Sequence, residues 1–220
     1  MTSRERTITA LEHREPDRVP VTLAYETPEG IAGRYGHEPY AKHMRQDIYA
    51  VTMDPAPPME AARRNYLTGV PEDAVIDGWG VARWYSSTGS SHAVVGPLRD
   101  MTRVEELDEF DFPEQGSRRY ATHLAEDVQN LHDRGLAVQG AMSQTIFELA
   151  WAMYGMENLM IGFYERPGFI DRLFDRITEQ RIAMAEQFAH ADVDVLRLGD
   201  DIGAQRGMMI APEVWRRYLK

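Results

Sequence analysis

Short runs rich in β-branched and apolar residues alternate along this chain with longer amphipathic stretches, and the alternation leaves few folds open. Val19–Tyr25, Ile48–Met53, Leu136–Met142 and Asp192–Leu198 read as strands, centred near Leu23, Val51, Val138 and Leu196. The stretches between them read as helices. Thr2 and Glu5 have the spacing of a capping box ahead of a helix with Ile8 and Leu11 on one face, ending before Pro16. Pro28 opens a second helical stretch to about Arg45, and Arg118–Arg134 forms a third that stops at Gly135. Ile146–Tyr154 and Glu157–Tyr164 follow. Pro167 then stands at the first position of a long helix, with Ile170, Leu173, Phe174, Ile177, Met184 and Phe188 on one stripe. Pro212 starts a last helix. Strands alternating with helices predict parallel βαβ units, in a doubly wound sheet or a (β/α)8 barrel. No G-x-G-x-x-G follows any strand, so a Rossmann dinucleotide site is not supported.

Residues 74–98 break the pattern. Val81–Tyr85 and His92–Val95 flank Ser86–Ser91, which predicts a β-hairpin excursion with a Gly/Ser tip. The tip lacks the Gly-Lys-Ser/Thr ending of a phosphate-binding loop.

Composition narrows the function. A formal net charge of −11 argues against nucleic-acid partners, which need a basic stripe. No apolar run is long enough to span a bilayer, and Met1–Arg18 has no apolar core of a secretory signal, so we expect a cytoplasmic location and no membrane partner. Without cysteine, the chain has no thiolate nucleophile and no Cys-ligated zinc. The seven histidines show no H-x-H or H-E-x-x-H spacing, and no metal site is expected in this chain.

Three blocks then become specific: Arg4-Glu5-Arg6 with Ala10–Val21; Asp77-Gly78-Trp79-Gly80-Val81 leading to Gly96-Pro97-Leu98; and Gly199–Gly207 ending in Ile210-Ala211-Pro212-Glu213. In this order they resemble the uroporphyrinogen decarboxylase-like family, which includes heme-pathway decarboxylases and corrinoid-dependent methyltransferases. The resemblance implies a TIM barrel. Such a barrel needs eight strands in about 250 residues, and four strands in 220 residues imply the N-terminal half of one, with the hairpin near 80–98 as an excursion. The zinc-binding His-x-Cys motif of the methyltransferases would then lie in the other half, so zinc is expected only with that part.

The branch is read from two departures. The decarboxylases' Arg-x-Ala-Gly-Arg-Tyr motif has Gly30 in place of its first arginine, although Ala32-Gly33-Arg34-Tyr35 is kept. Asp200-Asp201 stands where the decarboxylases would have serine and histidine, and is more like the methyltransferase branch. The leading expectation is corrinoid/thiol-type methyl transfer from a small methylated substrate, with a corrinoid protein as partner and a possible homo-oligomer. The alternatives are uroporphyrinogen decarboxylation in porphyrin biosynthesis, or an inactive half-barrel serving as an assembly partner.

Barrel sites form at the C-terminal ends of strands. Asp200, Asp201 and Gln205 follow the last strand and are the expected catalytic set, with Asp200 handling a proton and the other two orienting it. The structural alternative has both acids capping a helix near Gly203, or pairing with Arg197 or Arg206. Glu26, Trp79, Gln144, Phe147 and Glu148 are the expected substrate-binding residues, and Asp54, Ser143 and Trp151 also fall near strand ends.

Overall fold

The computed structural model describes residues 1–22, 46–85 and 91–220, in two compact units that each combine segments distant in sequence. The first comprises Met1–Met53, Ala121–Met142 and Ala185–Arg197; the second comprises Asp54–Tyr120, Ser143–Met184 and Leu198–Lys220.

The first unit is built on parallel strands. α1 (Ser3–Leu11) begins at the expected capping box, with the Thr2 hydroxyl accepting the Glu5 N–H and the Glu5 carboxylate accepting that of Thr2. β1 (Ile48–Val51) pairs in parallel with β5 (Ala137–Met142), Tyr49 opposite Val138, and β6 (Val195–Leu198) lies on the other side of β5. α1 and α4 (Leu124–Asp133) pack on this sheet. The helix expected from Arg118 is in fact a short 3-10 turn at Arg118–Tyr120 followed by α4, and the chain leaves α4 through Gly135 at φ +70°. Of the first expected strand, only Val19–Thr22 fall within the described residues, and they form no strand. They lie alongside β1 nonetheless: the Asp47 N–H donates to the Val21 carbonyl at 2.7 Å, and the Val21 N–H to the Asp47 carboxylate at 2.8 Å. The expected helix over 28–45 lies outside the described residues.

Asp47 is the polar anchor of this unit. Its side chain is fully buried, yet it accepts from Arg6, Arg18 and Ser3 as well as Val21. Burial opposes its ionisation, and these donors outweigh the burial, holding its pKa down at about 2.

The second unit holds an apolar core that includes Leu98, Leu107, Phe147, Met153, Ile170 and Ile177. The hairpin is present as β3 (Ala82–Tyr85) and β4 (Ser91–Val95), extended by a further antiparallel strand, β2 (Val75–Ile76). Two short helices that the sequence reading passed over, α2 (Glu60–Asn65) and α3 (Val104–Glu109), flank it in the chain. α5 (Phe147–Tyr154), α6 (Met156–Glu165) and α7 (Pro167–His190, whose last turn belongs to the first unit) follow the expected spans closely. Gly96 explains one of the sequence blocks: a Cβ there would stand 2.1 Å from the Met153 carbonyl oxygen, so only glycine lets β4 approach α5 this closely. After β6 comes a two-stranded ribbon, β7 (Gly203–Ala204) with β8 (Gly207–Met208), and then α8 (Pro212–Tyr218). No helix forms near Gly203, so the alternative in which the two acids cap one there is set aside.

Candidate active site

The chain after β5 and the chain after β6 are zipped together within the second unit. Thr145 N–H donates to the Gly199 carbonyl at 2.9 Å, and the Thr145 hydroxyl bonds both the N–H and the carbonyl of Gly199 at 3.1 Å. This pairing sets Asp200 beside the start of α5.

Asp200 meets three backbone donors there. Its Oδ2 accepts the N–H groups of Ile146 and Phe147 at 2.8 and 2.9 Å, and its Oδ1 accepts that of Glu148 at 2.8 Å. These are groups that a helix leaves unpaired in its first turn, and a negative charge there also suits the helix dipole. Ile146, at the cap position, has no side chain able to do this. Asp200 thus caps the start of α5.

Glu148 is the third acid brought to this corner. It is half-buried, and its pKa is raised above 4.5, first by burial and then by the negative charges of Asp201 and Asp200, against a backbone N–H donated by Asp201. Asp200 and Asp201 therefore act on one residue from both ends. One carboxylate takes the Glu148 N–H, and the next residue's N–H reaches the Glu148 carboxyl. A carboxyl group that keeps its proton to higher pH is suited to general-acid work.

A cleft of about 500 Å³ opens next to it, lined by Arg83, His92, Gln144, Glu148, Trp151 and Met156 among others. Gln144 sits in the left-handed region at φ +51°, a strained conformation for a side chain of its size. Arg181 supports that corner from beneath: its Nη2 donates to the Gln144 carbonyl at 2.8 Å and its Nε to the Thr145 carbonyl at 2.9 Å. The guanidinium is buried, which lowers its pKa to about 10 even though Asp200 opposes the shift, and it lies 5.2 Å from the centre of the Trp79 ring.

The expected site residues thus separate. Asp200, Asp201, Glu148 and Gln144 come together. Phe147 is fully buried against Trp151 at 5.6 Å between ring centres, so its side chain belongs to the core. Trp79 is also buried in that core. Its turn is tied by Asp77, whose Oδ1 accepts the N–H groups of Trp79 and Val81, and Gly78 fits because a Cβ would stand 2.7 Å from the Ala56 carbonyl oxygen. Gln205 is exposed between β7 and β8, and among the described residues no hydrogen bond joins it to Asp200. Asp54 and Ser143 are exposed, and Glu26 lies outside the described residues. Arg83 and Arg181 were missed. For Arg181 a signal existed, because it occupies the apolar stripe of α7, four residues after Ile177 and three before Met184.

Among the described residues no group of three or more His, Asp or Glu side chains is arranged to hold a metal ion. Three of the acceptor positions of the Asp200 carboxylate are taken by N–H donors, and no step is assigned to a metal.

The model of the uroporphyrinogen decarboxylase (URO-D) family matches residues 2–220. The chain belongs to the URO-D family. URO-D proteins are TIM barrels, a fold that places its catalytic groups after the strands. A search of curated proteins found no match. Among solved structures, the URO-D chain is similar to a methyltransferase from Methanosarcina mazei, with a TM-score of 0.60 and 15% sequence identity over 100% of this chain and 64% of that one. The chain therefore spans less than two thirds of that structure's length. At this identity the likeness concerns fold.

Proposed function

We propose that the protein is a methyl-transfer member of the URO-D family, acting on a small methylated substrate held in the Glu148 cleft. The observation that carries the reading is the carboxyl of Glu148, clamped by Asp200 and Asp201 and raised in pKa beside a cleft with a single arginine among its described lining residues. Uroporphyrinogen has eight carboxylates and calls for several converging arginines, whereas this lining suits a smaller molecule. The fold likeness to a methyltransferase points the same way. In this reading the bond between the substrate's heteroatom and its methyl group breaks. The methyl passes to a nucleophilic acceptor supplied by a corrinoid protein, and the heteroatom keeps the electron pair and takes the proton of Glu148. Asp200 keeps Glu148 at the helix start, and Arg181 keeps the Gln144 corner in shape.

The test pairs two assays on the protein. Reduced cobalamin is offered with a panel of methyl ethers, thioethers and methylamines, and methylcobalamin is followed by absorbance; uroporphyrinogen is offered separately and its products are separated by chromatography. Methylcobalamin formation that is lost in Glu148→Gln supports the reading. Decarboxylated porphyrinogens would move the protein to the other branch, and inactivity in both assays would leave the assembly-partner reading standing.

A further inference from the structure

Arg83 lies on β3 and is buried, with its Nε held by the Asp77 carboxylate at 2.6 Å. Its Nη2 donates to Gln144 Oε1 at 3.0 Å. Arginine has no acceptor, so this bond fixes the orientation of the amide: the oxygen faces Arg83 and the NH2 group is turned elsewhere. Among the described residues, Arg83 Nη1 and Gln144 Nε2 have no hydrogen-bond partner, and neither is sealed away from solvent without one. Both residues line the cleft. Arg83 and Gln144 therefore each keep an unbonded donor, one of them charged, and both residues line a wall whose other parts include Trp151, Ala152, Val95 and Met156.

We propose that the Arg83–Gln144 edge binds the carboxylate of the substrate, so that the substrate is a small apolar monocarboxylate. This rests on the cleft being the substrate site, and it adds the group by which a substrate is held. A carboxylate can accept from a guanidinium and an amide together, and charge-assisted bonds of this kind are about twice as strong as neutral ones. Two supports keep the donors aimed. Asp77 holds the far edge of the guanidinium, and Arg181 holds the strained backbone from which Gln144 projects. The occupant's body faces an indole and aliphatic groups, which suits an aromatic or branched acid.

Benzoate is the probe, with benzamide as its neutral counterpart, and calorimetric titration of the 220-residue chain gives both affinities. Benzoate should bind saturably and at least about tenfold more tightly than benzamide, the scale of one charge-assisted pairing. Arg83→Met tests the cation but leaves Asp77 Oδ2 without its partner and can unfold the hairpin. Gln144→Glu keeps the acceptor for Arg83 and replaces the amide donor by a charged oxygen. It should weaken benzoate by about tenfold or more while leaving benzamide within about twofold. Equal affinities for benzoate and benzamide, no saturable benzoate binding, or an unchanged benzoate affinity in Gln144→Glu would each overturn the proposal. No methyl acceptor is present in these titrations. Benzoate binding without methyl transfer would sink only the methyl-transfer reading, and methyl transfer without benzoate binding would sink only this one.

Discussion

The carboxylate of Asp200 accepts the backbone N–H of Glu148 at 2.8 Å, across 52 residues of sequence. The same carboxylate thereby caps the start of α5. Asp200→Ala should lower stability by about 1–2 kcal/mol, the usual cost of a lost N-cap, and Asp200→Asn by less, because one acceptor oxygen remains. Denaturant unfolding checks this: an unchanged midpoint in both variants would remove the structural role.

Glu148 gives a pH signature. Its pKa is raised in the folded state, so the native protein binds the proton more tightly than the unfolded chain does. The resulting stability is fully present below the unfolded value near 4.5 and is lost as pH rises through the folded value. Glu148→Gln removes that dependence. The melting temperature of wild type minus that of Glu148→Gln should fall as pH is raised above 4.5 and then level off. If the protein turns over substrate as proposed, the same substitution should cut turnover by roughly 10²–10⁴, the range for a lost general acid.

Asp47 has the opposite sign. Its depressed pKa means that its contribution is present above 3.8 and lost as pH falls toward about 2. Asp47→Asn leaves Arg6 and Arg18 without their shared charge, and breaking a buried pair from one side costs about 3–5 kcal/mol. Acid titration of the two proteins should show that the variant has lost the stability step at the acid end.

Gly96→Ala pushes a methyl into the Met153 and Ala152 carbonyl oxygens, which lie 2.1 and 2.5 Å from the added carbon. Backbone cannot swing aside as a flexible side chain can, so destabilisation of about 2–4 kcal/mol is expected, at the upper end of overpacking effects. A melting temperature within a degree of wild type would show that β4 and α5 can separate cheaply.

Periodicity carried most of the fold. The stripe from Ile170 to Phe188 located α7, and Thr2 with Glu5 located α1, because local spacing decides both. The site was less legible, since its decisive bonds link residues far apart in the chain. Nothing near Ile146 announces that its helix is capped by residue 200, and nothing in Arg83 announces Gln144 as its partner. The Asp200-Asp201 pair was found from its place after a strand, while its partners depend on where the loop ends. Arg181 on an apolar stripe was the one readable clue to the buried support beneath Gln144.

The cap on α5 also orders events in time. Asp200 follows Ile146 by 54 residues, so on a ribosome making about 5–20 residues per second the helix start waits roughly 3–11 s for its anion. Through that interval the amides of Ile146, Phe147 and Glu148 have only solvent or transient partners. Pulse labelling with deuterium during refolding should find these amides protected late, together with Gly199, and after the interior of α7.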